Sequence, residues 1–238
     1  MPRARVAALI ALVAVMLALG LPGAGTGDAS AKSADDKRGF RGCRLQKAQS
    51  FLKRTWFVRG GQLQAKRHLK ALRYRIEKYG SLPDLEMNEL NSRSVATQVR
   101  GTRFFGLPLQ VHEKVALALR CVENRIRKSC KKKSDRYTPK AVGGFRQGNT
   151  YRGQEVSNHL FGIAVDIDPD RNPCCGCVDP WPTHKLCQGD APSIYDRTSL
   201  PRCWVRAFER YGFWWLGRDT LKDTMHFEFL GNPERIEP

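Results

Sequence analysis

Ser157-Asn158-His159-Leu160-Phe161-Gly162-Ile163-Ala164-Val165-Asp166-Ile167-Asp168 is the stretch on which the reading of this chain turns. After Gly162, the apolar Ile163, Val165 and Ile167 alternate with Ala164, Asp166 and Asp168, the period of two that marks a half-buried strand. A helix is the poorer reading, because Gly162 and the β-branched residues both disfavour it. The apolar set then faces a core, and Asp166 and Asp168 share the other face with the small Ala164. His159 falls on the turn leading into the strand, and Asp166 projects from the strand into a cleft. Both are side chains that ligate zinc.

A second stretch, Asp223-Thr224-Met225-His226-Phe227-Glu228-Phe229, has the same character. Met225, Phe227 and Phe229 alternate with His226 and Glu228, so His226 stands on the polar face of another strand. His159, Asp166 and His226 make three protein ligands with a fourth position left for water. That is the composition of a catalytic zinc site rather than a closed structural one.

The chain has 238 residues, enough for one domain of moderate size with flanking segments. Arg3 and Arg5 precede an apolar run from Val6 to Leu21, and a small-residue segment ending Asp28-Ala29-Ser30-Ala31 follows. Residues 1–31 therefore read as a secretory signal peptide cleaved after Ala31. The apolar run is shorter than the roughly 20 residues of a comfortable membrane span, and no other stretch has a spanning character. The expectation is a secreted, periplasmic or cell-envelope protein without a transmembrane segment in its mature form. The formal charge is +18, and removing the leader takes away two arginines and one aspartate to leave +17. Nucleic acid is the generic partner of a basic protein, but export argues against it. An anionic cell-envelope polymer suits both facts, since long-range attraction concentrates a basic protein on it.

All eight cysteines follow the leader: Cys43, Cys121, Cys130, Cys174, Cys175, Cys177, Cys187 and Cys203. An even number in an exported chain reads as disulfides, with connectivity open. Cys174, Cys175 and Cys177 are so close in sequence that each is expected to pair outside its cluster, with Cys187 and Cys203 the nearest candidates. A structural zinc knuckle of Cys174, Cys177, His184 and Cys187 is the alternative, disfavoured by an oxidising compartment.

Residues 32–41 read as a polar tail. Arg44 to Val58 and Leu63 to Tyr79 read as two basic amphipathic helices joined at Gly60-Gly61, with His68 at the surface or its boundary. Gly80 to Phe105 shows little periodicity and reads as irregular. Leu107 to Lys131 is expected as one helix whose basic end suits a helix C-terminus. A short strand before Arg146, a cysteine- and proline-rich excursion from Pro173 to Pro201, a helix over Arg202 to Tyr211 stopped by Gly212, and a strand at Phe213-Trp214-Trp215 complete the chain. Strands and helices mix without regular alternation, which gives an α+β fold. The organisation expected is a leader (1–31), a basic helical segment (32–106) and a domain carrying the motifs (107–238).

Ser157-x-His159-x-x-Gly162-x-Ala164-x-Asp166, followed by Asp223-x-x-His226-Phe227-Glu228, resembles the M15 zinc peptidases, the group of D-alanyl-D-alanine carboxypeptidases and L-alanyl-D-glutamate endopeptidases. Gly144-Phe145-Arg146 and Tyr211-Gly212-Phe213-Trp214 also match, and the resemblance covers about 107–228. It implies a small antiparallel sheet flanked by helices with one zinc in a groove, a Hedgehog/DD-peptidase-like arrangement. It implies His159, Asp166 and His226 as ligands. The family's catalytic carboxylate maps onto Asp223 and its arginine onto Arg146. An Asp at position 223 is similar to the endopeptidase branch.

The chemistry supports these roles independently. Asp223 can accept the proton of an attacking water and hand it to the leaving amine. Arg146 can face a developing oxyanion. Ser157 and Glu228 can orient ligands. Singly, each residue has a plainer reading: a turn histidine, a strand histidine, a surface carboxylate, a solvated arginine. Asp168 reads as structural, and His112 and His184 as non-catalytic. The expected function is hydrolysis of peptide bonds in peptidoglycan stem peptides. A catalytically silent, basic envelope-binding module is the alternative, and a specific nucleic-acid binder rests on charge alone.

Overall fold

Alternation in the two motif stretches produces two adjacent strands, and the rest of the fold holds them. The computed structural model describes residues 42–236 except 84, 86, 150–154 and 178–180. The expected leader (1–31) and polar tail (32–41) lie outside the described residues.

The described chain begins extended, makes a 3-10 turn at Ser50–Leu52 and one helical turn α1 (Arg54–Phe57). Strands β1 (Val58–Arg59) and β2 (Gln62–Leu63) form a hairpin across Gly60-Gly61, and helix α2 (Ala65–Tyr79) follows. The single helix expected over Arg44 to Val58 is thus absent. Its backbone groups are satisfied elsewhere: Gln46 N–H donates to Arg210 O at 3.0 Å and Gln49 N–H to Leu230 O at 2.8 Å. Helix α2 buries Ala71, Leu72, Ile76 and Tyr79 at helical spacing, but also His68 and Arg75, while Leu69 is exposed.

Two further corrections concern the middle of the chain. The region read as irregular contains β3 (Val99–Phe104), and the first six residues of the expected Leu107 to Lys131 helix form β4 (Leu107–His112). The two strands pair in register, Val99 opposite His112 through Phe104 opposite Leu107. Phe105 and Gly106 turn between them with φ of 48° and 86°, the two positive values that suit a tight hairpin. Helix α3 (Glu113–Ser129) starts only after His112, whose Nδ1 accepts from Lys114 N–H at 3.2 Å and caps it.

Strands β5 (Val142–Gly143), β6 (Ala164–Ile167), β7 (Phe213–Trp215) and β8 (His226–Phe229) form an antiparallel sheet in the order β5-β6-β8-β7. Helix α4 (Arg202–Arg210) packs on it with Trp204, Val205 and Phe208 buried. Phe208 stacks on Phe227 of β8 at a centroid distance of 4.0 Å. Each large apolar side chain buried here contributes about 1.5–3 kcal/mol. The fold is a mixture of helices and small antiparallel sheets. The described residues belong to one compact unit. Leu72, Ile76 and Val95 share one core with Val165, Phe208 and Phe227. The boundary expected between 106 and 107 falls at the β3–β4 turn.

Four disulfides join Cys43 to Cys121, Cys130 to Cys203, Cys174 to Cys177 and Cys175 to Cys187. The expectation that Cys174 and Cys177 look outward is wrong. The chain turns tightly enough at Cys175-Gly176 to bring them together, with Cys177 N–H reaching Cys174 O at 3.4 Å. No cysteine is left for the alternative knuckle. His184 instead caps a 3-10 turn, its Nδ1 accepting from Leu186 N–H.

Candidate metal centre

Register decides which side chains meet. In the β6–β8 pair Asp166 lies opposite His226 and Ala164 opposite Glu228. Directly opposed side chains on one face of an antiparallel pair are neighbours. Val165 and Ile167 take the other face and are fully buried in the core. Asp168 leaves the strand with φ of 44°. Its carboxylate accepts from Tyr137 Oη at 2.6 Å and from the backbone N–H of Lys140 and Ala141 at 2.7 and 2.6 Å, a structural role.

His159 comes from the 3-10 turn Asn158–Phe161 before β6. Ser157 Oγ accepts from His159 N–H at 3.3 Å and caps that turn. Gly162 ends it with φ of 65°, and a Cβ there would lie 2.8 Å from His112 N. Only glycine meets both demands. The chain then turns straight into β6 with His159 facing the sheet.

The second nitrogen of each imidazole is already engaged. His159 Nδ1 lies 2.6 Å from Gly144 O, so its proton sits there and Nε2 turns a lone pair inward. His226 Nε2 lies 3.2 Å from Glu228 Oε1, which leaves Nδ1 facing inward. The two inward nitrogens are 3.1 Å apart. Asp166 Oδ2 is 3.0 Å from the first and Asp166 Oδ1 2.8 Å from the second. Two lone pairs and a carboxylate converging at these distances call for a positive centre, and nitrogen and oxygen donors with outer partners in place fit a divalent cation. Burial disfavours charge on His226, but the Asp166 carboxylate overrides it and raises the imidazole well above its ordinary pKa. Burial likewise opposes ionisation of Asp166, and the two histidines override it, holding that carboxyl far below the usual range.

Residues 150–229, the stretch that carries all three of these ligand candidates, match a family model described as D-alanyl-D-alanine carboxypeptidase. Over this stretch, 80 of its 238 residues, the chain is similar to the M15 peptidases. No curated protein and no solved structure matches the chain.

Around this triad stand the two further residues expected from sequence. Arg146 Nη1 is 3.9 Å from Asp166 Oδ2, at the edge of ion-pair range, and its side chain is 39% exposed. Asp223 sits on the loop before β8. Burial pushes its carboxyl up to about 7, opposed by His226 and helped by the negative Asp166 and Glu228. Among the described residues its Oδ1 has no hydrogen-bond partner.

Three supports went unread in the sequence. The Gly144 carbonyl, which orients His159, is a backbone atom without a side-chain signal. Arg75, on α2, is 1% exposed and lowers the pKa of Glu228, after burial raises it and His226 lowers it. Its position three residues after Leu72 and four before Tyr79 places it on the apolar stripe, a signal that was present. Arg54 of α1 donates through Nε to Glu155 at 2.8 Å and through Nη1 to Asp219 at 2.8 Å. It ties the approach to the His159 turn to the loop that leads to Asp223. A cavity of about 480 Å³ adjoins Arg146 and is walled by Leu82, Val95, Phe145, Val156 and Leu160.

Proposed function

We propose that this protein is an exported zinc peptidase that hydrolyses peptide bonds in the stem peptides of peptidoglycan. The observation that carries this reading is the convergence of His159, Asp166 and His226 inside the M15 match, each histidine oriented by an outer acceptor. His159 Nε2, His226 Nδ1 and the Asp166 carboxylate would hold the metal. When bound, zinc supplies Lewis acidity and makes a water acidic near neutral pH.

The rest is done by the chain. Asp223 accepts a proton from the attacking water, a task suited to a carboxyl near 7, and returns it to the departing amine. Arg146 faces the charge that grows on the carbonyl oxygen. The cavity beside Arg146 lies in the size range of ligand pockets, about 300–1,000 Å³, and takes the part of the peptide flanking the scissile bond. The positive charge of +18, which the leader raises by one, keeps the mature enzyme on an anionic cell-envelope polymer.

Mass spectrometry of peptidoglycan fragments incubated with the protein, with and without a chelator, tests the reading. Chelator-sensitive loss of a terminal D-alanine identifies a carboxypeptidase. Chelator-sensitive cleavage between L-alanine and D-glutamate identifies an endopeptidase, which the Asp at position 223 favours. A zinc-loaded protein that releases neither product refutes the reading.

A further inference from the structure

The loop that presents Asp223 is a strained turn clamped from one side. Lys222, immediately before Asp223, has φ of 48° without being glycine. Such a conformation persists only where its surroundings over-determine it. Here the surroundings are the segment Pro173 to Gly176. Cys175 N–H donates to Lys222 O at 3.2 Å and Gly176 N–H to Leu221 O at 2.6 Å. Thr224 N–H donates to Pro173 O at 3.1 Å, and Cys174 pairs with Asp223 as an antiparallel bridge. The fit leaves no slack: a Cβ on Gly176 would come within 2.5 Å of the carbonyl oxygens of Leu221 and Thr220.

This clamping segment is itself closed by the Cys174–Cys177 disulfide, which spans only three residues. The bridges Cys43–Cys121 and Cys130–Cys203 span 78 and 73. Cross-linking so short a loop removes little freedom from the unfolded chain, so global stability does not account for it. Its sulfurs and a carboxylate oxygen of Asp223 all lie within 4.8 Å of one another. Cys174 is buried, while Cys177 is partly exposed. Cys-x-x-Cys is also the spacing of dithiols that exchange readily.

We propose that the Cys174–Cys177 disulfide is a lock on Asp223, and that a dithiol reductant opens it and slows hydrolysis without emptying the metal centre. The proposal rests on Asp223 as the proton acceptor. In the step, the two S–H bonds of the reductant become one S–S bond, the Cys174–Cys177 S–S bond breaks, and two cysteine thiols form. Two electrons and two protons pass to the protein. Freed of this bridge and anchored only through Cys175–Cys187, the Pro173 to Gly176 segment loosens against the 221–224 loop and the turn at Lys222 relaxes. Asp223 then moves off the position where it meets the water. A displacement of about 1 Å in a catalytic group costs on the order of 10²-fold in rate.

The test compares the oxidised full-length mature protein with its Cys174→Ala/Cys177→Ala variant and with Gly176→Ala, which wedges the same contact without touching a sulfur. Hydrolysis of stem peptide, bound zinc per chain, and amide exchange at Cys175, Gly176 and Thr224 are measured on each. The expected result is a kcat roughly 10- to 100-fold lower in both variants, with KM and zinc content unchanged and exchange at the three amides faster. A mild dithiol lowers the wild-type kcat reversibly and leaves the double variant unaffected. Wild-type kcat and wild-type exchange in the double variant overturn the proposal. Should the oxidised wild type hydrolyse no stem peptide, the peptidase reading fails, and amide exchange alone decides the lock: faster exchange in the variants upholds it and unchanged exchange overturns it.

Discussion

Each histidine of the triad presents one nitrogen to a common point because its other nitrogen is spoken for. His226→Ala removes a donor and leaves Glu228 buried beside an empty space, so zinc content and peptide hydrolysis are both expected to be lost. Elemental analysis and fragment mass spectrometry check this; full activity in a zinc-free variant refutes the metal reading. Asp223→Asn keeps the shape and removes the proton acceptor. It is expected to lower kcat by roughly 10²- to 10⁴-fold with zinc content retained. Loss of zinc in that variant would instead make Asp223 a ligand. At this scale the sequence was most informative. The spacing His159, Asp166 and His226 already pointed to three ligands, whereas the Gly144 carbonyl became visible only once the β5 segment was placed next to the His159 turn.

At the scale of elements, His112 joins two of them. Its Nε2 donates to Tyr79 O at 3.0 Å at the end of α2, and its Nδ1 caps α3. The cap requires the neutral ring, since a protonated Nδ1 cannot accept from Lys114 N–H, whereas the bond to Tyr79 O survives protonation. Burial, with the Lys114 charge added and the Tyr79 bond opposing, lowers its pKa from 6.5 to about 4. The unfolded chain therefore takes up this proton near 6.5 and the folded chain only near 4. Stability from this group is complete above pH 6.5 and falls as pH drops through that window, by up to about 3 kcal/mol at pH 4. His68, also lowered to about 4 by burial and by Arg75, acts in the same direction. Urea midpoints between pH 7.5 and 4 should show the decline, and His112→Asn, whose amide oxygen can still cap α3, should flatten part of it. An equal slope in the variant would exclude His112.

The elements that the local sequence pattern hides have separate causes. Leu107, Leu109 and Val111 alternate, but the helical spacing that follows absorbed them into one long helix. Phe105-Gly106 carries a weak hairpin signal, because Phe rarely takes a positive φ. The residues from 44 to 58 failed as a helix because their backbone hydrogen bonds go to Arg210 and Leu230, distant positions that no local pattern displays.

For the whole molecule, the basic amino-terminal residues are part of the body that holds the site. Arg54 pairs with the buried Glu155 and Asp219, the buried Arg75 donates to Leu52 O and lowers the pKa of Glu228 by its charge, and Cys43 is bonded to Cys121 on α3. A fragment of residues 107–238 would leave Glu155, Asp219 and Glu228 without these cations and expose the core against which α2 packs. It is expected not to fold cooperatively, as calorimetry would show; a sharp transition close to that of the mature chain would refute this. Cys43→Ala/Cys121→Ala opens a loop of 78 residues and is expected to cost about 2–4 kcal/mol in denaturant unfolding. Charge composition indicated an anionic partner at this scale, but burial of Arg75 and the ion pairs of Arg54 show that some of the same cations serve the interior.

The facing of Asp166 and His226 across two four-residue strands would make metal uptake a gauge of strand alignment. Sliding β8 by one position would set Phe227 opposite Asp166 and turn His226 towards the core. A misaligned chain would thus have no assembled triad to titrate. During refolding, zinc supplied early would select the correctly aligned pair and draw the population towards it, so the ion would act as a proofreader of folding as well as a participant in hydrolysis.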